Sequence, residues 1–275
     1  MNFTSKNITC VGLRTHYIEA GTGFPVVLVH GGGAGADAIG NWETTIEELS
    51  GKYHLFAPDM VGFGGTEVPR SEDYGFSQEE RETHLEAFIE ELNVGKVILV
   101  GNSMGGLTSL GVARNRPDLV EKLVLMGSAG IQAEFSPQLR SIVEYDFSPE
   151  GMERIVEALT GPDFVASKEL VDYRYKLTIG EQARFAYDRI VAWMKHNGGL
   201  HVNEDLIARV TVPTLVMAGK NDLVVPLSSA YRFLELIPQS WGVIMPSCGH
   251  WPMIEHPKEF SAIVEKFIER KEYLS

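Results

Sequence analysis

Val97-Ile98-Leu99-Val100-Gly101-Asn102-Ser103-Met104-Gly105-Gly106 reads as a buried strand that runs into a glycine-lined turn and then into a helix. Val97 to Val100 are apolar without alternation, as expected of a strand covered on both faces. The serine framed by Gly101 and Gly105 fits the pattern Gly-x-Ser-x-Gly. Its position between strand and helix is the setting in which a serine is forced onto a sharp, exposed elbow. Small neighbours let the two elements approach closely, and the helix N-terminus favours negative charge on the reacting oxygen. A glycine-rich turn with a capping serine accounts for the pentapeptide alone, but not for the partners that surround it in the chain.

Upstream, the apolar run Val26 to Val29 leads into His30-Gly31-Gly32-Gly33. A tetrahedral intermediate needs backbone N–H groups aimed at its oxyanion, and glycines let the backbone come close. The second donor in such a site is the N–H of the residue after the nucleophile. Gly32 and Met104 are therefore the expected oxyanion-hole residues, and the flanking Gly31 and Gly33 are expected to face substrate. A dinucleotide or phosphate loop is the competing explanation. It lacks the Gly-x-Gly-x-x-Gly spacing into a helix, and it lacks the P-loop lysine.

Downstream, the order Ser, acid, His is required in this arrangement. Asp222, in Gly219-Lys220-Asn221-Asp222, follows the apolar run Leu215 to Ala218. His250, in Cys248-Gly249-His250-Trp251, follows Val243 to Met245. Both lie at the C-terminal ends of strands, where open α/β sheets carry their chemistry. Asp222 is expected to orient His250 and stabilise its imidazolium. Asp37 and Asp59 are rival acids but precede the serine. His201 falls where the insertion rejoins the core, His256 reads as a helix N-terminus, and His16, His54, His84 and His196 as packing or surface residues.

Leu55 to Ala57 and Leu123 to Met126 complete a set of strands alternating with helical stretches. Such alternation implies an α/β-hydrolase type of fold: a mostly parallel, doubly wound sheet, with Ile8 to Glu19 as an antiparallel hairpin at its edge. Ser77 and Glu80 form a capping box, and Pro257 opens the last helix. The alternation breaks between about Gly130 and Arg209. Helical patterns there, one opened by Ser148-Pro149-Glu150 and one ending at Gly198-Gly199, suggest an inserted lid. The expected organisation is a core of residues 1–130 and 210–275 with a helical lid over 131–209. Within the lid, Tyr145, Phe147, Phe164 and Trp193 are candidate pocket residues, with core packing as the equal alternative.

The 275 residues carry 37 acidic against 24 basic side chains, a formal net charge of −13. Such a surface repels nucleic acid and anionic membranes. No window approaches the roughly 18 apolar residues of a membrane span, and Met1 to Cys10 has no apolar signal core. Cys10 and Cys248 do not make a disulfide framework, which fits a cytoplasmic protein. No histidine–carboxylate spacing suggests a metal, and no cofactor is expected.

Taken together, Gly101-Asn102-Ser103-Met104-Gly105-Gly106, His30-Gly31-Gly32-Gly33-Ala34-Gly35-Ala36, Asn41-Trp42 and Gly249-His250-Trp251 resemble the meta-cleavage product hydrolases, and Pro58-Asp59-Met60-Val61-Gly62-Phe63-Gly64 adds to the likeness. The resemblance runs from Thr9 to the C-terminal helix and is greatest to the branch acting on the carbazole ring-cleavage product. It implies hydrolysis of a C–C bond in a 2-hydroxy-6-oxo-hexa-2,4-dienoate, giving 2-hydroxypenta-2,4-dienoate and a carboxylic acid. By position it implies Arg174 as the arginine at the dienoate end, with Arg140 and Arg184 as rivals. Trp251 would be the pocket tryptophan, and Asn41 and Asn102 polar contacts near the carboxylate and oxo groups. A homodimer or higher homo-oligomer is expected. An ordinary carboxylesterase would share the triad without needing the arginine, and a ligand-sensing protein of the same fold would share the pocket with little turnover. A dehalogenase is disfavoured by serine, rather than aspartate, at position 103.

Overall fold

Each apolar run picked out from the sequence lies within a strand that extends past it at one end or both, because backbone pairing continues where side chains reach the sheet rim. The computed structural model describes residues 3–71, 73–131 and 136–270. The first two residues of the N-terminal stretch and residues 132–135 of the insertion lie outside that set. In chain order the elements are β1 (Phe3–Cys10), β2 (Leu13–Ala20), β3 (Phe24–Val29), α1 (Ala38–Leu49), β4 (Tyr53–Pro58), α2 (Gln78–Leu92), β5 (Val97–Asn102), α3 (Met104–Asn115), β6 (Val120–Met126), α4 (Pro137–Val143), α5 (Pro149–Leu159), α6 (Lys168–Lys176), α7 (Glu181–His196), α8 (Glu204–Ile207), β7 (Thr214–Gly219), α9 (Leu227–Leu236), β8 (Ser240–Met245), α10 (Pro252–Glu255) and α11 (Pro257–Ile268).

The strands form one eight-stranded sheet in the order β1-β2-β4-β3-β5-β6-β7-β8. β2 pairs antiparallel with both β1 and β4, and every other pairing is parallel. This is the mostly parallel, doubly wound sheet with an antiparallel hairpin at its edge that the alternation predicts. The chain steps from β3 outward to β4 and then back across β3 to β5. That reversal opens a crevice beyond the C-terminal ends of β3 and β5, where ligands bind in open α/β sheets. Val26 to Val29, Val97 to Val100 and Leu123 to Met126 are buried on both faces and form the middle of the core.

The helix signals hold as well. Ser77 Oγ accepts from the Glu80 N–H at 3.2 Å while Glu80 Oε2 accepts from the Ser77 N–H at 2.8 Å, closing the capping box. Ser148 caps α5 with Pro149 in its first turn, and Pro257 opens α11 behind His256. Among the described residues between β6 and β7, the named elements are all helices. The two feet of this excursion meet at Gly130 and His201: the Gly130 N–H donates to Leu200 O at 2.9 Å and the Val202 N–H to Gly130 O at 3.0 Å. Among the described residues, no helix is long and apolar enough to cross a membrane.

Candidate active site

Ser103 sits between β5 and α3 at φ 55° and ψ −120°, a backbone conformation that costs a non-glycine residue about 1–3 kcal/mol. Tertiary hydrogen bonds hold it there. The Ser103 N–H donates to Met126 O at 3.1 Å, and Ser103 O accepts from the N–H groups of Ala129 and Leu107 at 3.1 Å each. Gly105 is required by close packing: a Cβ added to it would lie 2.3 Å from His30 O. The turn is thus wedged against the loop after β3.

That loop is anchored through His30. Its Nε2 accepts from the Met60 N–H at 2.9 Å, so Nδ1 carries the proton donated to Gly31 O at 2.7 Å. Burial lowers the pKa of His30 and keeps the ring neutral. Gly31 and Gly32 lie directly over the elbow. A Cβ on Gly31 would be 2.9 Å from Asn102 Oδ1, and one on Gly32 would be 2.6 Å from Met104 Sδ. Gly31, Gly32, Gly33, Ser103 and Met104 share one cavity with His250.

His250 and Asp222 meet as the chain order suggests. His250 Nδ1 and Asp222 Oδ2 are 2.7 Å apart, with both side chains essentially inaccessible. Asp222 Oδ1 accepts the N–H groups of Val224 and Val225 at 2.8 and 2.9 Å. Both carboxylate oxygens are therefore committed, and the one facing the ring needs a proton on Nδ1. That leaves Nε2 as the acceptor. The rival acids are occupied elsewhere: Asp37 caps α1 and accepts from Tyr173 Oη at 2.6 Å, and Asp59 pairs with His16 at 2.7 Å. His256 stands at the N-terminus of α11 without a side-chain capping bond, and His201 stands at the neck of the insertion.

On the far wall Arg174, from α6, is only 1% exposed. Its Nη2 donates to Ala34 O at 3.2 Å and its Nη1 to Asn41 Oδ1 at 3.4 Å, and the guanidinium carbon lies 4.6 Å above the Trp251 ring. Its Nε is buried without a partner, as is Asn102 Oδ1. Among the described residues no carboxylate lies within ion-pairing distance of Arg174. Burial pushes its pKa down to about 10, which leaves it a cation at neutral pH. The rivals Arg140 and Arg184 are exposed. Asn102 Nδ2 is used structurally, donating to Met126 O at 3.1 Å and to His250 O at 3.4 Å.

Of the two alternatives for the candidate aromatic residues of the insertion, packing rather than lining this cavity is what is found. Tyr145 packs on Phe147 and Tyr187, Phe147 borders a separate cavity, Trp193 lies 4.7 Å under the Arg81 guanidinium, and Phe164 is away from the cavity wall. The lid side of the wall is instead mostly aliphatic, with Leu139, Ile142, Leu159, Val191 and Met194, and its one aromatic ring among the described residues is Tyr187. On a helix these fall on the same apolar stripe as core residues, so periodicity does not separate them. Beyond Ser103 a second hollow is bounded by Ala129, Leu200, Val224 and Val225 and by the hydroxyls of Ser128 and Ser229, with no charged side chain in its wall. Among the described residues no cluster of His, Cys, Asp or Glu could hold a metal ion.

The family model for the alpha/beta hydrolase fold matches residues 25–257. A 2-hydroxy-6-oxo-6-(2'-aminophenyl)hexa-2,4-dienoic acid hydrolase from Metapseudomonas resinovorans is 46% identical, over 98% of this chain and 92% of its own. A 2-hydroxy-6-oxo-2,4-heptadienoate hydrolase from Pseudomonas putida is 36% identical, over 94% and 93%. Among solved structures, a serine hydrolase involved in carbazole degradation, the CarC enzyme, superposes with a TM-score of 0.89 at 45% identity, covering 97% of this chain and 98% of that one. A meta-cleavage product hydrolase from Pseudomonas fluorescens IP01 reaches a TM-score of 0.89 at 32% identity, covering 96% and 97%.

Proposed function

We propose a residue-level mechanism from one premise: the chain belongs to the α/β-hydrolase fold family and, within it, to the meta-cleavage product hydrolases, which hydrolyse a C–C bond in the ring-opened products of aromatic degradation. The observation that carries the mechanism is the buried guanidinium of Arg174, unpaired with any carboxylate, across the cavity from a serine elbow. A buried lone cation is costly unless an anion completes it. The carboxylate of a small dienoate does so, since a guanidinium forks onto it in two charge-assisted hydrogen bonds.

The chemistry follows from the leaving group. Breaking the C5–C6 bond of a 2-hydroxy-6-oxo-dienoate puts an electron pair on C5, a poor leaving carbon. A proton must first move to C5, turning the dienol into a C2 ketone conjugated to the C3–C4 double bond. Arg174, beside the carboxylate and the C2 oxygen, favours the ketone because it stabilises the electron-rich oxygen. Asn41 and Asn102 serve as polar contacts along the same half of the substrate, and Trp251 supports the guanidinium from below.

His250, oriented by Asp222, then takes a proton as Ser103 or a water molecule attacks C6. The Gly32 and Met104 N–H groups stabilise the resulting oxyanion, each worth about 10² to 10³ in rate. When C6 re-forms its carbonyl, the C5–C6 pair flows through C4 and C3 onto the C2 oxygen. The product 2-hydroxypenta-2,4-dienoate leaves, and water releases the acid if Ser103 was the attacking group.

For the finer substrate class, the uncharged hollow of Ala129, Leu200, Val224 and Val225 supports a neutral C6 substituent, aryl or alkyl, over a second carboxylate. The aminophenyl substrate of the 46% identical relative is of this kind. Residues 131–209 act as the lid over a core of residues 1–130 and 210–275. Two buried free cysteines support a reducing cytoplasmic setting, and the outer edge of β8 supports self-association into a homodimer or larger homo-oligomer. The test is a substrate panel: 6-phenyl, 6-aminophenyl and 6-methyl dienoates, followed by loss of their yellow colour, against p-nitrophenyl esters. Turnover of the dienoates well above the esters is expected. Turnover of esters alone overturns the proposal.

A further inference from the structure

Glu255 closes α10 and folds back over the loop that carries His250. Its Oε1 accepts the Trp251 N–H at 3.1 Å, and both oxygens accept the Gly249 N–H, at 2.9 and 3.1 Å. One carboxylate therefore holds the peptides on both sides of the histidine. Oε2 also accepts the Gly161 N–H at 2.7 Å, from the end of α5 in the helical insertion. The His250 N–H donates to Leu159 O in that same segment at 2.9 Å.

Two glycines allow this approach. A Cβ on Gly249 would lie 2.5 Å from Gly161 N, and one on Gly161 would lie 2.8 Å from Gly249 N, so the strands of backbone meet with no side chain between them. On the opposite side the Asn221 N–H donates to Cys248 O at 2.8 Å, joining the loop to the one that carries Asp222. The histidine loop is thus sandwiched between the acid's loop and the insertion. The bonds from its backbone to Glu255 are charge-assisted, and such bonds are about twice as strong as neutral ones.

We propose that Glu255 is a positioning residue for His250: its carboxylate fixes the peptides flanking the histidine and locks them to the Leu159–Gly161 segment. It touches neither the cavity nor the substrate. It acts by holding the imidazole between Asp222 and Ser103, and so rests on the assignment of His250 as the base. Misplacing a catalytic group by about 1 Å costs on the order of a hundredfold in rate.

Glu255→Gln keeps the shape but gives up one acceptor oxygen, so either the Gly161 or the Trp251 bond must go. The probe is diethyl p-nitrophenyl phosphate. Serine attack on phosphorus expels p-nitrophenolate, and the rate reports activation of Ser103 by His250. The parallel measurement is the Kd of 2-hydroxypenta-2,4-dienoate, which reports the Arg174 half of the cavity. Expected for Glu255→Gln is phosphorylation slowed at least about tenfold with the dienoate Kd within twofold of wild type. Phosphorylation at the wild-type rate overturns the proposal, and so does a parallel loss of dienoate affinity, which marks a general structural role. Failure of the wild-type protein to be labelled on Ser103 instead overturns the triad. Should the glutamine variant not fold, Glu255→Asp retains the charge but retracts it by one methylene, and is held to the same two criteria.

Discussion

Arg174→Gln separates C–C hydrolysis from ester hydrolysis on a single side chain. The guanidinium is buried, keeps only two long hydrogen bonds, at 3.2 and 3.4 Å, and faces the cavity with Nε unpartnered. Removing one partner of a buried ion pair costs about 3–5 kcal/mol. At about 1.4 kcal/mol per tenfold, kcat/KM for a dienoate is expected to fall between about two and three and a half powers of ten. A neutral p-nitrophenyl ester makes no such pair and should lose less than about tenfold in kcat/KM. Stability should move the other way from activity, or barely move. Glutamine gives up the stacking on Trp251, worth about 1–2 kcal/mol when desolvated, but relieves the burial of a cation whose pKa is pushed down to about 10. The two nearly offset, so Tm is expected to stay within about 4 °C of wild type. The assay is colour loss for the dienoate against p-nitrophenol release for the ester, with Tm by calorimetry. Equal losses on both substrates, or a Tm fall beyond about 8 °C, would show Arg174 to be a structural residue and remove the basis for dienoate recognition.

Ser103→Ala should abolish all but trace turnover while the dienoate still binds, seen as a shifted absorbance without decay; full activity would sink the triad. Asp222→Asn leaves the Nδ1 proton without its acceptor and favours the wrong tautomer, so kcat should fall about 10⁴-fold with the fold intact, measured on either substrate class. Because Arg174 has its pKa lowered to about 10, dienoate KM should climb as pH rises through 10, while ester KM at the same pH does not. The sign for stability is opposite. A cation with a depressed folded pKa binds fewer protons folded than unfolded between about 10 and its ordinary range, so its contribution to stability rises with pH in that window. Dienoate affinity that stays flat through pH 10 would count against the guanidinium as its receptor.

What the sequence discloses here follows from where burial leaves a local mark. Val26 to Val29 and Val97 to Val100 are legible because a strand covered on both faces has no polar alternation. The elbow and the acid–base loops are legible because they sit at the ends of such strands. β8 is the contrast: as an edge strand it is only partly buried, and Ser240 and Gly242 interrupt the apolar pattern around Trp241 before Val243. The helical insertion is legible as helix but not as wall. Leu139, Ile142 and Leu159 face the cavity while Trp193 faces the Arg81 guanidinium, yet each sits on a helix whose period alone does not tell the two apart. Arg174 shows the limit most clearly. Nothing in Tyr173-Arg174-Tyr175 marks it as buried, and only the family resemblance separated it from Arg140 and Arg184. Its burial comes from contacts far along the chain, with Ala34, Asn41 and Trp251.

Those contacts also explain how, in the proposed mechanism, this arginine carries the choice of reaction. A serine, a histidine and an aspartate held in such a site attack any carbonyl it can hold. They do nothing for a carbon leaving group. The residue that does is at the opposite end of the cavity, on the insertion rather than on the sheet, and its neighbours have left it incomplete. Asp37, the acid whose charge it senses most strongly, gives its hydrogen-bonding capacity to Tyr173 and Gly40 rather than to the guanidinium. A carboxylate paired directly to Arg174 would stabilise the empty protein and cancel the field the substrate needs. Holding the acid one residue away, on Tyr173, keeps α6 docked while leaving the cation free for the dienoate.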